Sequence, residues 1–309
     1  MSRSPDRSAD LILLLVVLIW GLNFPVIKAV LAVMPPHAMN VLRLAISALV
    51  LGGLYVAQQR RAGKPLLEPI RAYPLAITGL GLLGYFLYQV AFIVGLDHTA
   101  AGSAGIIMAS VPLWSALLGH VFRFERLRRL AWGGLFVTLV GTAVIVRFGP
   151  QPIDFSASVL FGNLVMVVAA FLWGSYTALN RPVLQRVAPL ALTFFGLLVA
   201  LPFLLIVGLP YMPAIDWERV DGWTWLALIY SGGLSTGLAP VLWSRSVQRV
   251  GAAHTTVFGN LTPFVALLCS FLFLGEPINA AQVFGGLLII GGIMIVRRVR
   301  RPRPRPVPS

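Results

Sequence analysis

Polar and aromatic side chains interrupt the apolar stretches of this chain at spacings that place them on shared helix faces. Trp20 and Asn23 lie three residues apart in VLIWGLNFPVIKAV, and Tyr85 and Tyr88 repeat that spacing with Gln89 beside them. Residues three or four apart are neighbours on a helix surface. An indole and an amide on one face could bind an amphipathic small molecule by stacking, cation–π contact and hydrogen bonding.

The second half of the chain carries residues of the same kind. Trp173 and Tyr176 repeat the first pair, and further candidates for lining a cavity are Ser110, Trp243, His254 and Asn260. If these stretches lie in lipid, polar groups within them need partners in the protein or in a watery cavity. Close helix packing, or an aromatic belt at the membrane interface, explains the same residues without a ligand. The sequence leaves both interpretations open.

Arg43 is the only basic residue well inside an apolar stretch. A charge at membrane depth is a functional hypothesis by default, and it could attract a substrate carboxylate or guide an extracellular gate. Alternatively, its long side chain extends to the membrane interface. Proline removes a backbone hydrogen bond inside a helix, so we expect hinge or gating positions at Pro25, Pro112, Pro240 and Pro263.

The composition indicates that the elements holding these residues are membrane helices. Hydrophobic residues make up 58% of the 309-residue chain, charged residues 11%, and the mean hydropathy is +0.87. A soluble domain carries about 25% charged residues. Ten apolar runs approach the length of roughly 20 residues that spans a bilayer as a helix: 10–32, 38–57, 73–95, 101–121, 130–147, 157–179, 190–209, 223–244, 253–274 and 280–297. The first run resembles a signal peptide, but no small-residue cleavage site follows it.

The charge distribution predicts the topology. The net charge is +14, and most of the 24 lysines and arginines fall on one side of the membrane if the N-terminus is cytoplasmic. This is the positive-inside bias, and it argues against nucleic acid as the partner. We therefore expect a multi-pass protein of the bacterial inner membrane with both termini cytoplasmic. The expected partners are membrane lipid and a small-molecule substrate, with a monomer as the working oligomeric state.

The sequence contains an internal repeat, in which the second half matches the first. Trp20/Trp173, Gly21/Gly174, Lys28/Arg181 and Pro36/Pro189 are separated by 153 residues, and a second set is separated by 151 residues: Gly81/Gly232, Ala101/Ala252, Pro112/Pro263, Glu125/Glu276, Gly134/Gly285 and Gly141/Gly292. Each copy contains five runs. Because five is odd, the two copies must have opposite orientations in the membrane. Inverted repeats are a recurring feature of secondary transporters, which bind substrate between the repeats.

The repeated motif also carries a family resemblance. IMASVPLWSALLGHVFRFERLRRLAWGGLFVTLVGTAVIV resembles the second half of an EamA domain, and VFGNLTPFVALLCSFLFLGEPINAAQVFGGLLIIGGIMIV resembles it again. Each has a helix with a central Pro, a terminal Glu and a Gly-spaced final helix. The first copy departs from the pattern, with FRFER where the second has FLGEP. The chain resembles the EamA branch of the drug/metabolite transporter superfamily over nearly its whole length, which implies export of amino acids or related small metabolites.

Other functional classes find little support in the sequence. GLSTG (233–237) matches a serine-nucleophile pattern but lies inside an apolar run rather than at a strand–helix elbow. Walker A, HExxH and CxxC motifs are absent, and Cys269 is the only cysteine. We therefore expect neither an enzyme nor a metal or cofactor. No carboxylate lies in the middle of a run, which favours facilitated efflux over proton antiport; Asp97, His98 and His254 are the nearest candidates for a proton site.

The prediction is an all-α integral membrane protein with ten transmembrane helices, arranged as two inverted five-helix repeats around a central cavity. Residues 1–147 form the first repeat, 148–156 an extracytoplasmic linker, 157–297 the second repeat and 298–309 a basic cytoplasmic tail. The expected function is export of amino acids or related metabolites by alternating access. The alternatives are a multidrug, nucleoside or lipid-linked metabolite transporter and, in a different class, a membrane enzyme of lipid metabolism or a channel.

Overall fold

The computed structural model describes residues 7–99, 101–122, 129–147, 157–274 and 278–299, and no β-strand occurs within those ranges. The predicted linker 148–156, residues 300–309 of the predicted tail, and the motif residues Glu125 and Glu276 lie outside the described residues.

The described chain is built from helices joined by short turns. In chain order they are α1 (Arg7–Leu31), α2 (Pro36–Ala62), α3 (Glu68–Ala72), α4 (Pro74–Gly81), α5 (Tyr88–His98), α6 (Ala101–Met108), α7 (Val111–Val121), α8 (Arg129–Arg147), α9 (Ala157–Val183), α10 (Pro189–Gly208), α11 (Gly222–Ile229), α12 (Ala239–Val250), α13 (Ala252–Gly259), α14 (Thr262–Leu274) and α15 (Ala280–Val299). Two π-helical segments, Leu82–Leu87 and Tyr230–Leu238, join α4 to α5 and α11 to α12. Leu209–Ala214 and Trp217–Arg219 are short 3-10 helices.

Six helical segments of 24 to 29 residues are long and apolar enough to cross a bilayer: Ser8–Leu31, Pro36–Ala62, Pro74–His98, Ala157–Val183, Pro189–Ala214 and Gly222–Val250. At 1.5 Å per residue each exceeds the roughly 30 Å of the hydrocarbon core. Shorter apolar helices are Val111–Val121, Arg129–Gly141 and Val283–Gly292. The chain is a multi-pass membrane protein.

Two of the predicted runs, 101–121 and 253–274, are each divided into two helices. The first run has a turn at 109–110 between α6 and α7, and the second has a turn at 260–261 between α13 and α14. In both cases a proline, Pro112 or Pro263, is the second residue of the following helix. Because proline has no N–H and its ring clashes with the preceding turn, a helix begins with it rather than continuing through it.

The π-helical segments also occupy corresponding positions in the two copies. Leu82–Leu87 follows Gly81, and Tyr230–Leu238 includes Gly232, the counterpart of Gly81. A π segment replaces the regular i→i−4 hydrogen bonds of a helix by i→i−5 bonds. Two carbonyl groups of Tyr230–Leu238 accept from side chains of other helices. Ser47 donates to Gly232 O at 2.6 Å, and Trp20 Nε1 donates to Ser235 O at 3.0 Å.

The copies make reciprocal contacts where helix backbones approach closely. A Cβ on Gly81 would lie 2.6 Å from Gly196 O, and a Cβ on Gly232 would collide with Arg43 O. Gly232 follows Gly81 by 151 residues, and Gly196 follows Arg43 by 153, so each contact is the counterpart of the other. Small residues permit such close approach between helices in membranes.

The final helices of the copies, α8 and α15, show the same reciprocity. A Cβ on Gly141 would lie 2.6 Å from Gly285 O, and one on Gly292 would lie 2.5 Å from Gly134 O. The four glycines are the two recurring pairs Gly134/Gly285 and Gly141/Gly292, whose members are separated by 151 residues.

Two polar side chains, Lys28 and Asp221, cap the ends of helices. Lys28 Nζ donates to three carbonyls at the end of α5, Leu96 O at 2.9 Å and Asp97 O and Thr99 O at 3.0 Å, which satisfies carbonyls left free at a helix C-terminus. At the start of α11, hydrogen bonds from the Thr224 backbone N–H (2.8 Å) and hydroxyl (2.7 Å) hold the pKa of Asp221 below its usual value.

Candidate functional site

A cavity lies where the two copies meet. It encloses about 750 Å³ of empty space when its open mouth is counted, which is within the range of small-molecule sites. The wall is formed by α1, α2, α5, α9, α12, the π segments and the broken helix pairs α6/α7 and α13/α14. Most of the predicted binding residues line it: Trp20, Asn23, Arg43, Tyr85, Tyr88, Gln89, Trp173, Trp243 and Asn260. The predicted hinge prolines Pro112, Pro240 and Pro263 line it as well.

Two predicted binding residues lie next to the cavity without lining it. The hydroxyl of Tyr176 is 3.4 Å from that of Tyr85, and its ring stacks on Trp173 with centroids 5.1 Å apart, so it supports the wall from behind. Ser110 lies in the break between α6 and α7, where it donates to Ile107 O at 2.7 Å and accepts from Trp114 Nε1 at 3.2 Å.

The remaining two predicted residues are elsewhere. His254 Nε2 is 2.9 Å from Asp10 Oδ1, which links the start of α13 to the start of α1. Pro25 lies within α1 and is not among the cavity-lining residues that the structure describes.

An aromatic cluster forms the apolar part of the wall. The ring centroid of Trp20 lies 5.5 Å from that of Trp173 and 4.9 Å from that of Trp243. Tyr88 extends the cluster, 4.8 Å from Trp173. The indole N–H of Trp20 bonds to a backbone carbonyl, and that of Trp243 to Thr177 Oγ1 at 3.3 Å. With these N–H groups already bonded, the cluster offers ring surface for stacking or cation–π contact.

Arg43 supplies the charge in the wall. Only 2% of the residue is exposed, so it lies in the protein interior rather than extending to a membrane interface. Its guanidinium donates through one terminal nitrogen to Ser231 Oγ at 3.2 Å and through the other to Gln89 Oε1. The third nitrogen, Nε, is buried without a hydrogen-bond partner in the described part of the chain.

Three further polar atoms in the wall are buried without a partner in the described part of the chain: Asn23 Oδ1, Asn260 Oδ1 and Thr262 Oγ1. Asn260 occupies the turn between α13 and α14, and Asn23 lies in α1 close to Trp20. An unsatisfied amide inside a membrane protein costs free energy, and a bound ligand would offset that cost. The wall can thus offer hydrogen-bond acceptors as well as the Arg43 donor.

Several residues at the cavity were not predicted from the sequence. Ser235 and Thr262 line the cavity, and Ser231 holds Arg43 from a distance of 188 residues along the chain. Serine and threonine also promote helix packing in membranes, so their presence in an apolar run carried no distinct signal.

Comparisons with known proteins agree with this architecture. The EamA-like transporter family matches residues 7–147 and 160–298. The uncharacterized transporter YoaV of Bacillus subtilis is 26% identical, over 91% of this chain and 93% of its own. A crystal structure of a protein 23% identical in sequence superposes with a TM-score of 0.76 over 96% of this chain and 98% of that one; at that identity it supports the fold alone.

Two other similar proteins bear functional names. A "Probable terminal-alkyne amino-acid exporter" of Streptantibioticus cattleyicolor is 29% identical, over 93% of this chain and 92% of its own. A "Probable amino-acid metabolite efflux pump" of Salmonella typhimurium is 28% identical, over 96% of this chain and 99% of its own. Since the family match covers most of the sequence in two consecutive segments, the chain belongs to the EamA-like transporter family.

Proposed function

We propose that this transporter exports amino acids or related small metabolites by alternating access. The observation that carries the proposal is the cavity between the copies, with its indole cluster, its buried guanidinium and its unpaired amide oxygens. Such a wall complements a small molecule that has both an apolar part and charged groups. The names of the Streptantibioticus and Salmonella relatives, which refer to amino acids and their metabolites, point the same way.

The proposed architecture has ten passes. In the first copy these are α1, α2, α4–α5, α6–α7 and α8; in the second they are α9, α10, α11–α12, α13–α14 and α15. Five passes per copy require opposite orientations, and the reciprocal glycine contacts are those expected of two copies related by an approximate two-fold axis. We assign residues 1–147 and 157–297 to the repeats, 148–156 to the linker and 298–309 to the tail.

The transport cycle follows from that symmetry. Two copies of one fold can adopt two slightly different shapes, and exchange of these shapes would open the cavity to the other side of the membrane. The broken helices and π segments are the flexible points, since they have fewer regular backbone hydrogen bonds than continuous helices.

The energy source that we favour is the substrate gradient, with proton antiport as the second choice. The described wall of the cavity includes no carboxylate or histidine. The nearest candidates for proton binding lie at helix ends: His254 with Asp10, and His98 with its Nδ1 3.8 Å from Asp97 Oδ2. The same lack of acids and histidines disfavours a membrane enzyme, which would need general acid–base or metal-binding groups at its site.

The proposed location is the bacterial inner membrane with both termini cytoplasmic. The cluster of basic residues at the C-terminal end of α2, Arg60, Arg61 and Lys64, supports that orientation, because basic residues favour the cytoplasmic side. Multidrug or other metabolite transport is the alternative for the substrate, because aromatic walls accept many amphipathic molecules.

Counterflow in proteoliposomes tests the function. Vesicles would be loaded with pooled unlabelled amino acids, and uptake of radiolabelled Phe, Thr and Met followed at equal internal and external pH. We expect saturable uptake that requires internal substrate and falls on Asn260→Ala. Leu49→Ala is the matched control, because Leu49 is 77% exposed on the outer surface of α2. Absence of counterflow for all three amino acids would contradict the proposal.

A further inference from the structure

We propose that Arg43 binds the carboxylate of the transported molecule, and that Asn23 and Asn260 accept from its ammonium group, so that the cavity selects zwitterionic amino acids. This inference rests on the proposed function and adds to it a residue that determines specificity. It follows from charge balance, hydrogen-bond geometry and the asymmetry between the copies.

Charge balance is the first argument. Arg43 is the only charged side chain among the described residues that line the cavity, and in the described chain no carboxylate lies within ion-pair distance of it. A buried charge without a counter-ion is strongly destabilising, and an arginine remains protonated under nearly all conditions. A ligand that brings one negative charge would supply the missing counter-ion.

The hydrogen bonds of Arg43 prepare it for that role. Gln89 and Ser231 are neutral acceptors, so they orient the guanidinium without cancelling its charge. They engage the two terminal nitrogens, while the buried Nε–H remains unpaired. A guanidinium binds carboxylate through pairs of N–H groups in one plane, and the buried Nε–H is the group that has no partner in the described chain.

The other half of a zwitterion matches the amides. Asn23 and Asn260 each line the cavity with a buried Oδ1 that has no donor in the described chain. An ammonium group has three donors and no acceptor, so it fits these oxygens. A single guanidinium also suits a monoanionic carboxylate better than a phosphate dianion, which would leave charge uncompensated.

The two copies differ at the position of Arg43. This difference separates a role in binding the ligand from a role in helix packing. The counterpart of Arg43 is Gly196, and that of Gln89 is Pro240. The corresponding helix contact of the other copy therefore forms without an arginine. Because helix packing at this contact does not require the guanidinium, its retention in a buried, uncompensated state calls for another partner.

The test compares each amino acid with its α-carboxamide, which keeps the ammonium group and side chain but lacks the carboxylate. Wild type, Arg43→Gln, Arg43→Lys and the Leu49→Ala control would be assayed by counterflow with labelled Phe, Met and their amides. A lost hydrogen-bonded charge pair corresponds to a loss of about 10- to 100-fold. We expect Arg43→Gln to lower amino-acid uptake by that factor, to change amide uptake less than about threefold, and Arg43→Lys to restore part of the preference.

Two results would overturn the inference: equal loss of amino-acid and amide uptake in Arg43→Gln, which indicates a structural role, or unchanged preference for the carboxylate. Thermal stabilisation of the purified protein by the same compounds provides a readout that does not need transport. Carboxylate-dependent stabilisation that disappears in Arg43→Gln, in a protein without counterflow, would support this inference while contradicting the proposed function. Stabilisation that is equal for amino acid and amide would contradict the inference even in a working transporter.

Discussion

At the contact between α4 and α10, Gly81 faces Gly196; at the corresponding contact between the π segment 230–238 and α2, Gly232 faces Arg43. The backbones approach closely in both places, but only one carries a charged side chain, and that side chain lines the cavity. Two other polar residues of the cavity wall also have a counterpart of a different type. Asn23 corresponds to Tyr176 and Asn260 to Ala109.

The difference separates two kinds of residue in this family member. Three glycine pairs at the helix contacts recur in both copies: Gly81/Gly232, Gly134/Gly285 and Gly141/Gly292. The proposed exchange of two shapes would need two such equivalent frameworks. Arg43, Asn23 and Asn260, which we propose meet the ligand, have no counterpart of the same residue type in the other copy. That is expected if a small asymmetric molecule needs a single set of partners. Substitutions at the two kinds of position should therefore have different effects.

The largest effects are expected where the frameworks touch. Gly81→Leu and Gly232→Leu place side chains against the backbone of Gly196 and Arg43, and each should destabilise the fold by about 1–3 kcal/mol. Gly53→Leu is the matched control, since a Cβ there meets nothing within 4 Å. Thermal unfolding in detergent would measure the stability of the three variants relative to wild type. A loss confined to one of the two copies would contradict the equivalence of the frameworks.

Gln89→Glu should reduce transport while preserving the fold. The new carboxylate would accept from Arg43 where Gln89 does now and supply its counter-ion, so it would compete with the substrate carboxylate. We expect the half-saturation concentration for an amino acid to rise by about tenfold or more, with no loss of thermal stability. Unchanged affinity, measured by concentration-dependent counterflow, would show that the Arg43 charge does not meet the ligand.

A smaller effect is expected at the asparagines. Asn260→Leu removes a buried amide oxygen that has no partner in the described chain and that we propose accepts from the substrate ammonium group, so we predict about tenfold weaker transport of an amino acid. The deaminated acid, which has no ammonium group, should be affected much less. Competition by the two compounds against labelled substrate provides the measurement, and equal weakening of both would remove Asn260 from ligand recognition.

The smallest effect is expected at His254. Its bond to Asp10 is partly exposed, and such pairs contribute about 0–1 kcal/mol. His254→Ala should leave the affinity for substrate within about twofold of wild type, since the residue lies outside the cavity wall. A large loss of affinity in counterflow would mean that the end of α13 controls the site.

Local patterns predicted much of the cavity but not its boundaries. Helical spacing grouped Trp20 with Asn23 on one helix face, and both residues line the cavity. The same spacing did not reveal that Tyr176 supports Tyr85 from behind, since the sequence does not specify which neighbouring helix covers a face. Pro112 and Pro263 were predicted as hinge positions. The continuous apolar runs around them did not indicate that two separate helices meet just before each proline.

Contacts between residues far apart in the sequence determine the features that could not be predicted. His254 meets Asp10 across 244 residues, and Arg43 meets Ser231 across 188. Neither pairing has a local signal, because both depend on how the two copies pack together. The repeat is visible in the sequence, whereas the asymmetry of the cavity wall depends on which counterparts face the cavity.

Accessibility of the cavity from both sides of the membrane is the most direct test of the account. Cys269 is the only cysteine, so Cys269→Ser with Ser235→Cys would place a single thiol in the cavity wall. In oriented vesicles we predict modification by a membrane-impermeant thiol reagent added to either side, with protection by an amino acid in both cases. Modification from one side only, with or without substrate, would contradict alternating access between the two copies.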